Sequence, residues 1–265
     1  MRATHPDLLV PVHSAEIAHP AAAGPAEACL NCGAGLTGDF CARCGQAART
    51  GRLRFDGWLR EFGEHLLTLD FAVVHTFGAL LRRPGGFVRA YLDGRRVGYT
   101  GPLRYYLLVV ALNIAASTVL SHGADAPEQG GPDEGFWDGN FVALQIGLLF
   151  GLLMLPLAGA QRALDRRAGY TLAEHYAFLL YVLAQSVLGM IALRLVLSLG
   201  GMPFEGDPEG LAWLALFTGY LLWARSGFVE GRLWRSVLKT LLAYAAVAVC
   251  VMVVGGLAVA VFGTP

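Results

Sequence analysis

The chain has 265 residues and a formal charge of zero, yet only 15% of its residues are charged while 55% are apolar. With a mean hydropathy of +0.51, that composition excludes an ordinary soluble domain and points to an integral membrane protein. Five cysteines, four of them between positions 29 and 44, argue against the disulfide framework of a small secreted protein.

Residues 1–28 lack the apolar core of a signal peptide and are expected to form a disordered tail. The next stretch, CLNCGAGLTGDFCARCGQ (29–46), contains two C-x-x-C pairs, Cys29 with Cys32 and Cys41 with Cys44, each followed by glycine. Each pair can grip two corners of a tetrahedron, and the glycine tolerates the turn that closes the knuckle. The spacing predicts a small zinc ribbon. Eighteen residues cannot bury a core, so a structural Zn²⁺ would supply the folding free energy, on the order of 10–16 kcal/mol. Four thiolates leave no open coordination position, which makes the site structural rather than catalytic. The fifth thiol, Cys250, lies in an apolar run and reads as a small hydrophobe.

Residues 52–100 read as amphipathic interfacial helices carrying an arginine belt. Phe55, Trp58, Leu59, Phe62, Leu66 and Leu69 recur at helical spacing, Phe71–Leu81 forms a second helical stretch, and Phe87–Leu92 a third after Pro84. None is long enough to span a bilayer. They are expected to lie along the inner leaflet or pack beneath the bundle, with Arg82, Arg83, Arg89, Arg95, Arg96 and Arg104 meeting lipid phosphates or a protein partner. Glu61, His65, Asp70 and His75 are a second titratable group, but spacings of five residues send the last three to diverging helix faces. Nucleic acid is an unlikely partner, because the head holds only Arg43 and the flanking Arg49.

From residue 101 the chain reads as a bundle of about five transmembrane helices, over 103–120, 141–160, 176–199, 211–224 and 241–262. Each run is measured against the roughly 20 residues that a helix needs to cross hydrocarbon; the fourth is the shortest. Their loops alternate in charge. Ser121–Asn140 holds Asp125, Glu128, Asp133, Glu134 and Asp138, and Gly200–Gly210 holds Glu205, Asp207 and Glu209, neither with any Lys or Arg. The opposite loops carry Arg162, Arg166 and Arg167, then Arg225, Arg232, Arg235 and Lys239, and the chain up to Arg104 carries twelve arginines. The positive-inside rule therefore places the N-terminus and the thiol-rich head in the cytosol and the C-terminus outside.

Apart from Arg104 at the edge of the first, the spans hold one charged residue, Arg194, expected to snorkel outward or pair with Glu205 or Asp207. Gly147 and Gly151, and likewise Gly255, Gly256 and Ala260, form small-residue faces suited to close packing within the bundle or to a homo-oligomer. No span carries Asp, Glu or His in its middle, which lowers the case for a proton-coupled transporter.

The head from Cys29 to Gln46, EHLLTLD (64–70), RRPGGFVRAYLDGRRVGY (82–99) and the following Pro102 together resemble an uncharacterised bacterial membrane-protein family known only as a domain of unknown function. The likeness covers residues 29–110. It implies a zinc-ribbon-headed protein of the bacterial inner membrane and lends no reaction. The five-span plan is also similar, at the level of topology alone, to that of the Yip-type membrane proteins. The expected function is non-enzymatic: a membrane-anchored adaptor presenting the ribbon and belt to a protein or anionic lipid. The alternative is a channel or transporter for a small solute or lipid, with the ribbon as a regulatory cap.

Overall fold

The computed structural model describes residues 28–50, 52–53, 71–122, 134–201, 207–229 and 233–262. Within them lie seven α-helices: α1 Phe71–Arg82, α2 Pro84–Leu92, α3 Pro102–His122, α4 Glu134–Leu164, α5 Leu172–Leu199, α6 Asp207–Phe228 and α7 Leu233–Phe262. A 3-10 turn, Arg166–Ala168, joins α4 to α5. The only β pairing among the described residues is two isolated bridges in the head, Ala28 with Gly35 and Phe40 with Ala47. The expected tail, apart from Ala28, and the expected helix over Phe55–Leu69 lie outside the described residues.

Among the described residues three helices are long and apolar enough to cross a membrane: Pro102–Leu120, Ala143–Leu164 and Leu172–Leu199. α6 and α7, 22 and 30 residues long, contain the fourth and fifth expected runs. The helices outrun the apolar stretches because polar ends continue them. Pro156 sits inside α4 without ending it. At the start of α5, Thr171 and Glu174 form a reciprocal capping box, which satisfies two orphan amides and starts the helix four residues before Tyr176.

α5 is the axis of the fold. Its residues from Ala173 to Ser186 are all buried, as expected of a helix surrounded on every side. α1, α3, α4 and α6 pack around it. Against it stand Tyr105, Tyr106, Val109 and Val110 of α3, Met154, Leu157 and Ala158 of α4, and the stripe Phe217, Leu221, Ala224 and Phe228 of α6. The outer faces stay apolar, with Val119, Leu152, Val196, Leu211 and Leu241 all exposed. An apolar exterior around a buried core is what lipid, rather than water, would cover.

Glycines set two of the closest approaches. A Cβ on Gly147 would lie 2.8 Å from Val110 Cγ1, and one on Gly151 would lie 2.9 Å from Tyr106 Cε1. This small-residue face is therefore used inside the bundle, where α4 meets α3. Gly85 is tighter still: its Cβ would stand 2.0 Å from the carbonyl oxygen of Ala224 and 2.4 Å from the amide of Phe228. The Pro-Gly-Gly start of α2 thus does two jobs. Pro84 opens the helix where an amide would go unpaired, and Gly85 lets its backbone lie directly on α6.

α1 and α2 part company in their surroundings. α2 is packed beneath the bundle, burying Phe87, Val88, Tyr91 and Leu92. α1 turns Thr76 and Leu80 inward and leaves Phe71, Val74 and Leu81 exposed. An apolar outer stripe on a helix whose inward face carries a threonine fits contact with lipid.

Candidate functional site

The head is a repeat of one small loop. The amide of Gly33 donates to the carbonyl of Cys29 at 2.8 Å and the amide of Cys29 to the carbonyl of Ala34 at 2.8 Å; Gly45, Cys41 and Gln46 repeat both bonds at the same lengths. Gly33 and Gly45 hold φ of 73° and 76°, in the left-handed region that residues with a Cβ rarely adopt. That geometry turns both thiols of each pair toward a common point. All four sulfurs lie within 4.8 Å of one another, with Cys29 to Cys44 and Cys32 to Cys41 both at 3.5 Å. A tetrahedral centre with metal–sulfur bonds of about 2.3 Å needs edges of about 3.8 Å. The cluster fits a metal ion.

Its electrostatics favour the same conclusion. The amides of Cys44 and Arg43 donate to Cys41 and hold its thiol down at about 6. The Ala34 amide also lowers Cys32, but burial and hydrogen bonds with the other three thiols outweigh it and push Cys32 up to about 11. The first thiolate is thus easy to form and the next one costly, because like charges crowd one small volume. A bound cation removes that repulsion and lets all four ionise.

The head is docked on the bundle. Gln46, buried, donates from Nε2 to the carbonyl of Gly94 at 2.7 Å and accepts from the amide of Arg96 at 3.4 Å. Gly94 has φ of +107°, and a Cβ there would meet Leu30 Cδ1 of the head at 2.7 Å. Past the head, Leu53 joins the core and Arg52 forks onto Glu174, Nε to Oε1 at 3.0 Å and Nη2 to Oε2 at 2.7 Å, with a further bond to the carbonyl of Gly169 at 2.8 Å. A bidentate guanidinium–carboxylate pair fixes orientation as well as position. The receiving surface is itself braced: Thr76 Oγ1 accepts from the amide of Thr100 at 2.9 Å, and the Tyr181 hydroxyl donates to the Thr100 carbonyl at 2.7 Å.

The expected arginine belt is divided by the fold. Arg82, Arg83 and Arg95 are exposed. Arg89 donates to the carbonyl of Phe228 at 3.0 Å, at the end of α6, where a cation also suits the helix dipole. Arg96 lies over the Tyr91 ring, 5.6 Å from its centroid. Arg104 is half-buried on α3. Of the titratable group around His65, only His75 falls within the described residues, exposed on α1.

Two further polar clusters lie in the bundle. Near its far end, Arg194 pairs with Glu209 and donates to Asn113 Oδ1 at 3.5 Å; the expected partners Glu205 and Asp207 lie outside the residues whose side chains are described. Glu209 lies in the first turn of α6, where it meets α5. This pair borders a cavity of about 560 Å³ that Tyr106, Val187, Met190 and Trp213 also line. At the head end, Asp165 accepts from Arg225 and, at 2.7 Å, from Lys239 Nζ. Asp165 and Arg225 are almost completely buried. Beside them Gln161, His175 and Thr240 are buried too, and Nε2 and Oε1 of Gln161, Nε2 of His175, Nε of Arg225 and Oγ1 of Thr240 have no hydrogen-bond partner among the described residues.

The sequence places Arg225 in a cytosolic loop and does not single out Asp165, Glu174 or His175. Thr171-Leu172-Ala173-Glu174 is a readable capping box and could have found Glu174. Nothing local marks Asp165, whose partners lie 60 and 74 residues away.

Residues 70–113 match a family described as a protein of unknown function, DUF3667. The stretch matching the DUF3667 family spans α1, α2 and the first half of α3, including Gly85, Gly94 and Arg96; the four cysteines lie outside it. It therefore contains the turn that receives the head. No curated protein and no solved structure is significantly similar to the chain.

Proposed function

We propose that this chain is a non-enzymatic adaptor of the bacterial inner membrane, in which a cytosolic zinc ribbon is held rigidly against a five-span bundle and offered to a protein partner. One observation carries the reading: the head is clamped through Leu30, Gln46 and Arg52, while Phe40, just before Cys41, is 67% exposed. A large aromatic displayed on a rigid support is the kind of anchor that a partner pocket buries. Zinc is the ion of choice because four thiolates in a tetrahedron suit it and leave no open position for catalysis. Exposed Arg82, Arg83 and Arg95 would hold the same face to anionic lipid. The alternation of arginine-rich and acidic loops along the sequence supports the cytosolic placement.

A photo-crosslinker in place of Phe40, followed by mass spectrometry of intact cells, tests the reading. The expected result is one reproducible partner that disappears in Cys41→Ser. Labelling of the head from the periplasmic side would sink the topology, and crosslinks that persist without the metal would sink the role of the ribbon.

The 560 Å³ cavity supports a second reading, a carrier for a small amphipathic solute. It shares no lining residue with the cavity at the head end, and buried Phe178, Tyr181, Val182 and Leu221 lie along the helices between them. Solute flux in proteoliposomes that survives removal of residues 1–50 would favour this alternative over the adaptor.

A further inference from the structure

A second cavity, of about 320 Å³, opens at the head end between α2, the α4–α5 turn, α6 and the start of α7. Five cationic side chains line it: Arg89, Arg167, Arg225, Arg235 and Lys239. They face a single carboxylate, Asp165, and both of its oxygens are already engaged, Oδ2 by Arg225 and Oδ1 by Lys239. Among the described residues no other acid lines the cavity, and Arg167 and Arg235 stand exposed at it. Arg225 is only 1% exposed, and its Nε has no partner among the described residues.

Keeping a guanidinium this deep is costly unless its charge and each N–H are met. The wall beside it is apolar, formed by Phe228, Val229 and Ala168, so the local dielectric is low and an anion would be held more strongly than at an open surface. Arg235 lies against the Trp234 ring, 5.3 Å from its centroid, and Arg89 is held by the Phe228 carbonyl. Forked guanidinium donors converging on one volume match the several oxygens of a phosphate better than the two of a carboxylate. We propose that this cavity binds a phosphate group, carried either by a lipid headgroup or by a soluble anion. The site is separate from the metal head and does not rest on the adaptor reading.

The test uses the full chain in two arms. In one, inorganic phosphate and pyrophosphate are titrated calorimetrically into the protein in neutral detergent. In the other, native mass spectrometry follows lipid retained after release from nanodiscs of phosphatidylglycerol and phosphatidylcholine. Arg167 and Arg235 are exposed and outside the buried ion cluster, so R167Q/R235Q should fold. R162Q/R166Q removes two exposed arginines of the same region that do not line the cavity. The expected result is saturable binding in at least one arm, weakened about 25-fold by R167Q/R235Q, at roughly fivefold per lost guanidinium, and changed less than about twofold by R162Q/R166Q. Binding of the free anions identifies a soluble ligand, and selective retention of phosphatidylglycerol identifies the lipid. Absence of saturable binding in both arms overturns the proposal. So does binding that R167Q/R235Q leaves intact, or that both double variants weaken equally, since that would be diffuse surface charge.

Discussion

The thiol cluster of the head and the ion cluster of the bundle lie at the same end of the molecule and are built by opposite means. The four thiols come from residues 29–44 and are aimed by two identical turns. Asp165, Arg225 and Lys239 come from α4–α5, α6 and α7, and meet only after those elements have packed around α5. A local site answers to spacing and backbone conformation, whereas a convergent one answers to the whole fold. The first can therefore be lost without the second, and the second is a probe of the bundle alone.

Removing the metal should break the comparison most sharply. The ion's binding free energy is on the order of 10–16 kcal/mol for a structural tetrahedral site, so chelation should unfold the head while leaving the bundle helical. Limited proteolysis should then cut within residues 29–50, with circular dichroism nearly unchanged. A head that stays resistant after elemental analysis shows the metal gone would refute a metal-dependent fold.

The next largest effect is expected from Asp165→Ala, which strands Arg225 in a buried site. Breaking such a pair costs about 3–5 kcal/mol, read as earlier unfolding in a detergent titration. The double change Asp165→Ala with Arg225→Met should recover much of the loss, while metal content stays at the wild-type level. If the single change lowers metal content as well, the two clusters are coupled and the contrast drawn here fails.

Gly85→Ala places a methyl group within van der Waals overlap of the Ala224 carbonyl and the Phe228 amide. Overpacking of that kind costs about 1–3 kcal/mol, and more where backbone rather than side chain must yield. Separation of α2 from α6 would appear as faster hydrogen exchange over both helices. Unaltered exchange would mean that the two backbones are not in contact.

Gln46→Ala is the mildest change, removing the bonds to Gly94 and Arg96. A loss of about 1–2 kcal/mol should loosen the head on the bundle without releasing its metal. A longer distance between spin labels on the head and on the α2–α3 turn would measure this. An unchanged distance would show that Leu30 and Arg52 suffice to dock the head.

Much of this protein is written locally. Apolar runs long enough to cross hydrocarbon predict helices because a backbone in lipid must satisfy its own hydrogen bonds, and three such helices stand among the described residues. The C-x-x-C-G repeat predicts the thiol cluster because two residues between cysteines and a left-handed glycine leave little choice of geometry. Helix starts were less legible, since capping by Thr171 and Glu174 carried α5 past its apolar boundary.

What only the tertiary structure decided is the fate of the charges. Arg82 and Arg89 look alike in sequence, yet one is exposed and the other caps α6. Arg225 reads as a loop residue and is buried against Asp165, and Arg194 meets Glu209 of α6. The physical reason is that an apolar run tells where a segment goes by its own transfer free energy, whereas a charge is stable wherever its counter-charge arrives. That arrival depends on helix packing, down to a glycine that lets α2 touch α6, and no local pattern encodes it.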